Sequence, residues 1–152
     1  MRRNKLVVGI IVFLVMLTGF TGCSKNEKSF LIVTTKAMMT GVKGQVETAR
    51  FEIYESGRLE ITKVFTGSET EEETVVLDSD DLKLLKAFVK ESIENDTYSD
   101  THVNATDGQT WTFTYIDSDK SEKEIYSGYV YGIDELENIR YILASYLPEL
   151  YK

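Results

Sequence analysis

Cysteine, proline, histidine and tryptophan each occur once in these 152 residues, and each scarcity closes off a class of chemistry. A lone Cys23 cannot form a disulfide within the chain. With a lone His102 it cannot assemble the Cys/His sets that hold zinc. A single proline, Pro148, and the absence of any long Gly/Ser stretch leave no linker at which the chain would divide. No Gly-rich phosphate loop, nucleophile-elbow pattern or paired-carboxylate site stands out. Basic residues are outnumbered 17 to 25 by acids and are nowhere clustered, so the phosphate-neutralising surface that nucleic acid requires is missing. The formal net charge of −8 favours solubility and suits a cationic partner.

What is present begins with an address. Met1-Arg2-Arg3-Asn4-Lys5 carries three positive charges and no acid, and Leu6 to Leu17 is an apolar run interrupted only by Gly9. A basic head, an apolar stretch and a small-residue end is the layout of a secretory signal. The uncharged span from Leu6 to Gly22, 17 residues, also sits at the short limit of about 17–25 for a membrane-spanning helix, so an uncleaved anchor is the alternative. Cys23 stands where this apolar run meets the polar stretch Ser24 to Ser29.

Phe20-Thr21-Gly22-Cys23 resembles the lipobox of bacterial lipoproteins: a large apolar residue, two small ones, then Cys. Phe20 replaces the usual Leu. The resemblance implies a diacylglyceryl thioether on the Cys23 sulfur, cleavage just before it, and a protein held on the outer face of the cell membrane. Residues 1–22 would then be a signal peptide, 23–29 a lipidated cysteine and polar tether, and 30–152 a single domain. Loss of residues 1–22 removes three positive charges and takes the formal net charge from −8 to −11.

The remaining chain is patterned for both strand and helix. Phe30 to Thr35 is rich in strand formers, and Val46 to Tyr54 places Ala49, Phe51 and Ile53 on one face. Glu55-Ser56-Gly57-Arg58 is a turn, after which Leu59, Ile61, Lys63 and Phe65 repeat at period two. The spacing predicts an exposed loop over Gly67 to Glu73 and a short strand over Thr74 to Leu77. At Asp78 the period changes: Leu82, Leu85, Val89 and Ile93, joined by Phe88, form one helical stripe behind an acidic start. Gln109 to Ile116 alternates Trp111, Phe113 and Tyr115 against threonines. Glu124 to Tyr131 reads as a returning strand. A second helix, capped by Asp134 with Glu137 in capping-box position, carries Leu136, Ile139, Leu143 and Leu147 and stops at Pro148. The expected fold is α+β: one antiparallel sheet of five or six strands with both amphipathic helices packed on one face. Trp111, Phe113, Leu82, Leu85, Val89, Ile139 and Leu143 should lie in its core.

Asp107-Gly108-Gln109-Thr110-Trp111 and Tyr126-Ser127-Gly128-Tyr129 resemble motifs of a group of small, mostly Gram-positive lipoproteins, over Val75 to Leu147. That resemblance implies no activity. Candidate chemistry is sparse. His102, near Ser99, Asp100 and Asp107, is the one residue around which a hydrolase could be built. Asp117-x-Asp119-x-Ser121 opens like a calcium loop, but Glu122 and Gly128 stand where the loop needs Gly and Glu. No catalytic residue, metal or cofactor is therefore expected. Tyrosine is the enriched residue, with eight of nine from Tyr98 onward. Trp111, Tyr126, Tyr129 and Tyr131 form a candidate partner-binding aromatic patch. The expected function is a non-catalytic binding or accessory lipoprotein that contacts a protein partner, with an acidic inhibitor of a secreted enzyme as the alternative.

Overall fold

The computed structural model describes residues 27–37, 43–67, 69–98 and 108–151. Cys23, His102 and Asp107 lie outside them. Six strands form one open sheet: β1 (Ser29–Ala37), β2 (Val46–Tyr54), β3 (Arg58–Phe65), β4 (Thr70–Val76), β5 (Gln109–Ile116) and β6 (Glu122–Gly128). Their order is β4-β3-β2-β1-β5-β6, and every neighbouring pair is antiparallel. With α1 (Ser79–Asn95) and α2 (Asp134–Ser145) this is the expected α+β fold.

Register turns the alternation of each strand into rows that cross the sheet. Ile61, Phe51, Val33, Phe113 and Tyr126 are successive cross-strand partners, as are Leu59, Ile53, Leu31 and Tyr115. All but Tyr115 are buried, and they share one core with Leu85, Phe88 and Val89 of α1 and Leu136, Ile139 and Leu143 of α2. A register shift between Ser29 and Leu31 lets Phe30 join this side, where Lys86 of α1 lies 5.8 Å over its ring. The opposite face carries Thr34, Arg50, Thr62 and Thr112 in another row. That polarity is what a sheet with one wet face requires.

Local chemistry sets the helix ends. Asp78 accepts a hydrogen bond from the Asp80 N–H at 2.9 Å, and Asp80 and Asp81 place carboxylates in the first turn of α1, where the helix dipole favours them. Asp96 closes the helix at φ 47°. The second helix departs from expectation. Ile133, not Asp134, occupies the N-cap, and no side chain caps it. The Glu137 carboxylate still reaches back, but to the Gly132 N–H at 2.6 Å, two residues before the expected partner, Asp134.

Three further expectations are corrected. The acidic stretch expected as a loop belongs to β4, an exposed edge strand. There Glu71 and Glu73 approach the Lys63 ammonium at 3.4 and 3.5 Å, so opposite charge across the ladder holds a strand whose composition disfavours one. The last strand ends at Gly128, and Tyr129 to Tyr131 lie beyond it. Leu82 is half-buried instead of central, resting against Gly57, whose missing Cβ would stand 3.3 Å from its methyl group.

The helices are antiparallel and bonded to each other at both ends. The Tyr146 hydroxyl, just after α2, donates to Asp81 at 2.7 Å and accepts from the Asp78 N–H at 2.9 Å at the start of α1. At the other end, Tyr98 donates to the Glu135 carboxylate.

Candidate functional site

The four aromatic residues expected to form a partner-binding patch separate into two pairs. Trp111 and Tyr126 are 1% and 2% exposed and lie in the core, because their strand positions face the helices. Trp111 stacks 6.4 Å from both Phe51 and Phe113, and Tyr126 meets Tyr98 edge-on at 6.1 Å. The Tyr126 hydroxyl is engaged by the Tyr129 carbonyl. Neither ring offers a face to a partner. Tyr129 is half-buried and Tyr131 is 51% exposed, their rings 5.0 Å apart.

Gly108-Gln109-Thr110-Trp111 and Tyr126-Ser127-Gly128-Tyr129 meet in space. Trp111 pairs with Gly128 across β5 and β6, and Gly108 lies under the Tyr129 ring. Gly108 has φ 112°, and a Cβ there would fall 2.0 Å from the Tyr129 hydroxyl oxygen. The motif positions therefore act in packing this corner. Gly108→Ala should cost about 1–3 kcal/mol, through an unfavourable φ and displacement of the Tyr129 ring. A lower urea midpoint would show this. The same change in a Tyr129→Ala background should cost less, since only the backbone component remains.

The surface aromatics lead elsewhere. Arg140, buried on α2, holds its guanidinium 5.0 Å from the Tyr131 ring and 4.2 Å from that of Tyr141. Tyr141, 56% exposed, and Leu84, 55% exposed on α1, lie on the two sides of a groove between the helices. The groove has a volume of about 460 Å³ and is mainly apolar. Phe88, Ile139 and Ile142 also line it, and Glu91 and Glu135 contribute its charged groups. Near these acids the Tyr98 hydroxyl is pushed well above its ordinary pKa, first by burial, then by its hydrogen bond to Glu135, with both carboxylates adding to the shift. Leu84 and Tyr141 were not among the expected site residues. Their signal was an apolar residue outside each helix's core stripe, at positions that ordinary solvated helices give to polar side chains.

Other groups are engaged in holding the fold. Asp117 and Asp119 accept from the Ser118 and Ser121 N–H groups within the β5–β6 turn, which holds Asp119 below its ordinary pKa through its bonds to Ser121. Among the described residues no group of three or more His, Cys, Asp or Glu could hold a metal ion. No helix among them is long and apolar enough to cross a membrane. At the start of β1, Glu27 accepts from the Ser56 N–H at 2.8 Å and its hydroxyl at 2.9 Å, with Arg58 3.7 Å away. Lys28 donates to the Ser118 carbonyl. The chain entering β1 is thus bonded to both the β2–β3 and β5–β6 turns. No protein-family model matches the chain, and a comparison with curated proteins gives no match.

Proposed function

We propose that this is a lipid-anchored protein on the outer face of the cell membrane, attached through Cys23, whose domain is a non-catalytic module that binds a protein partner through the groove between α1 and α2. The observation that carries the reading is the pair Leu84 and Tyr141. Two large apolar side chains more than half exposed on either side of one apolar groove form a surface that gains free energy when covered. The aromatic anchor differs from the one expected: Tyr141 takes the place assigned to Trp111 and Tyr126, with Tyr131 beside it across Arg140. Grooves between helices commonly receive a partner's apolar side chains, and tyrosine and arginine are enriched where binding energy concentrates.

Crosslinking and capture from native membranes test this, using tagged wild type, Leu84→Asp and Cys23→Ala. One partner should be enriched with wild type and lost with Leu84→Asp, whose exposed position leaves folding intact. It should also be lost with Cys23→Ala, if anchoring brings the two together. Equal capture by Leu84→Asp would remove the groove as the contact. No enrichment with wild type would remove the protein-partner reading.

A further inference from the structure

We propose that the groove takes a cationic amphipathic segment, which places an apolar side chain between Leu84 and Tyr141 and a lysine or arginine between Glu91 and Glu135. This deepens the binding reading and rests on the groove being the contact surface. The helices are antiparallel, as the Tyr146–Asp81 and Tyr98–Glu135 bonds at opposite ends show. Glu91 lies seven residues after Leu84 on α1, while Glu135 lies six before Tyr141 on α2. At a rise of about 1.5 Å per residue, each acid stands roughly 10 Å from the apolar pair, and antiparallel packing puts both at the same end. One end of the groove is apolar and the other is acidic.

Among the described residues the acidic end has no counter-charge: neither Glu91 nor Glu135 has a cation within ion-pair distance, although lysines on α1 pair with Glu55, Asp80 and Glu94. Glu135 accepts from Tyr98, a neutral donor that leaves the negative charge in place. A partner ammonium or guanidinium would relieve two like charges beside an apolar surface, where screening is weaker than in open water. An anionic segment would add to the repulsion. The separation also sets a spacing: about 10 Å corresponds to roughly seven residues of a bound helix or three of an extended strand.

The test uses the full chain in nanodiscs of zwitterionic lipid, with empty nanodiscs as blank. The probe is a fluorescent 14-residue Leu/Lys peptide with leucine on one helical face and lysine seven residues from a central leucine, read by anisotropy. Controls are a scrambled peptide of the same composition and a Leu/Glu peptide of the same pattern. The Leu/Lys peptide should bind wild type, and Glu91→Gln/Glu135→Gln should weaken it about tenfold, the equivalent of about 1.4 kcal/mol. The side-chain amide that Glu135→Gln introduces retains an oxygen acceptor for Tyr98, so the fold survives the change. Leu84→Asp should abolish binding. Its failure to do so would sink the groove itself, whereas equal binding to wild type and the double variant would sink only the cationic specificity. Equal binding of the scrambled peptide would reduce the effect to net charge. Equal binding of the Leu/Glu peptide would also overturn the proposal. Concentration-dependent self-association that Leu84→Asp abolishes would identify a second copy of the chain as the occupant instead.

Discussion

Trp111→Ala is expected to destabilise the domain by about 3–5 kcal/mol, the range for truncating a buried large aromatic. Against a typical total of about 5–15 kcal/mol, this is enough to leave the domain marginal at ambient temperature. Trp111 is fully enclosed, stacked 6.4 Å from Phe51 and Phe113, and pairs with Thr35 on β1 and Gly128 on β6. Its two cross-strand partners are Thr35 and a glycine, neither large enough to fill the vacated space, so most of the void persists. Urea unfolding followed by far-ultraviolet circular dichroism measures the loss. Trp111→Phe, which keeps an aromatic ring against Phe51, should recover more than half of it. The residue is also the only tryptophan in the chain. Native emission should therefore be blue-shifted and poorly quenched by acrylamide. Emission like that of exposed indole, or a Trp111→Ala variant as stable as wild type, would return the residue to the surface and restore it as a partner contact.

Trp111 also shows where sequence reading succeeded and where it could not. Alternation over Gln109 to Ile116 places Trp111 and Phe113 on one face, and both are buried; the helical stripe Leu85, Phe88 and Val89 is likewise in the core. Periodicity tells which residues share a face. It does not tell which face the helices cover, so the same side chains served equally well as core and as contact surface. Edge strands are harder still. The glutamates of β4 have no alternation to read, and only their register opposite Lys63 explains the strand. The groove was illegible for a different reason. Leu84 and Tyr141 lie on two helices far apart in sequence, and only tertiary packing brings them to one site. The cap of α2 failed on a smaller point: Glu137 reaches back as a capping-box glutamate does, but the chain enters the helix one residue earlier than Asp134 implies.

Cys23→Ser should release the protein from the membrane almost completely, the largest functional effect expected of any single change. Two acyl chains, at about 0.8 kcal/mol per buried methylene, hold a protein firmly where one holds it reversibly, and serine cannot accept the thioether. The measurement is fractionation of membranes and medium, combined with the intact mass of the purified protein. Wild type should lack residues 1–22 and carry added lipid mass. If Leu6 to Gly22 instead stays as an uncleaved anchor, wild type itself has the mass of the full chain with no added lipid, and the lipoprotein reading fails. The anchor also bears on how the domain stands. Glu27, only four residues after Cys23, is bonded to Ser56, and Lys28 to Ser118. Four residues reach at most about 14 Å. A lipidated Cys23 would thus hold the β2–β3 and β5–β6 turns beside the bilayer, whereas a longer free tether would let the domain turn. A spin label at Glu55, exposed in the β2–β3 turn beside Ser56, should then be relaxed by a paramagnetic lipid headgroup far more strongly than one at Gly67, beyond the other end of β3. Glu27→Ala, which removes the bonds to Ser56, should narrow that difference. Equal relaxation at both positions in wild type would show that the contacts at Ser56 and Ser118 do not orient the anchored domain.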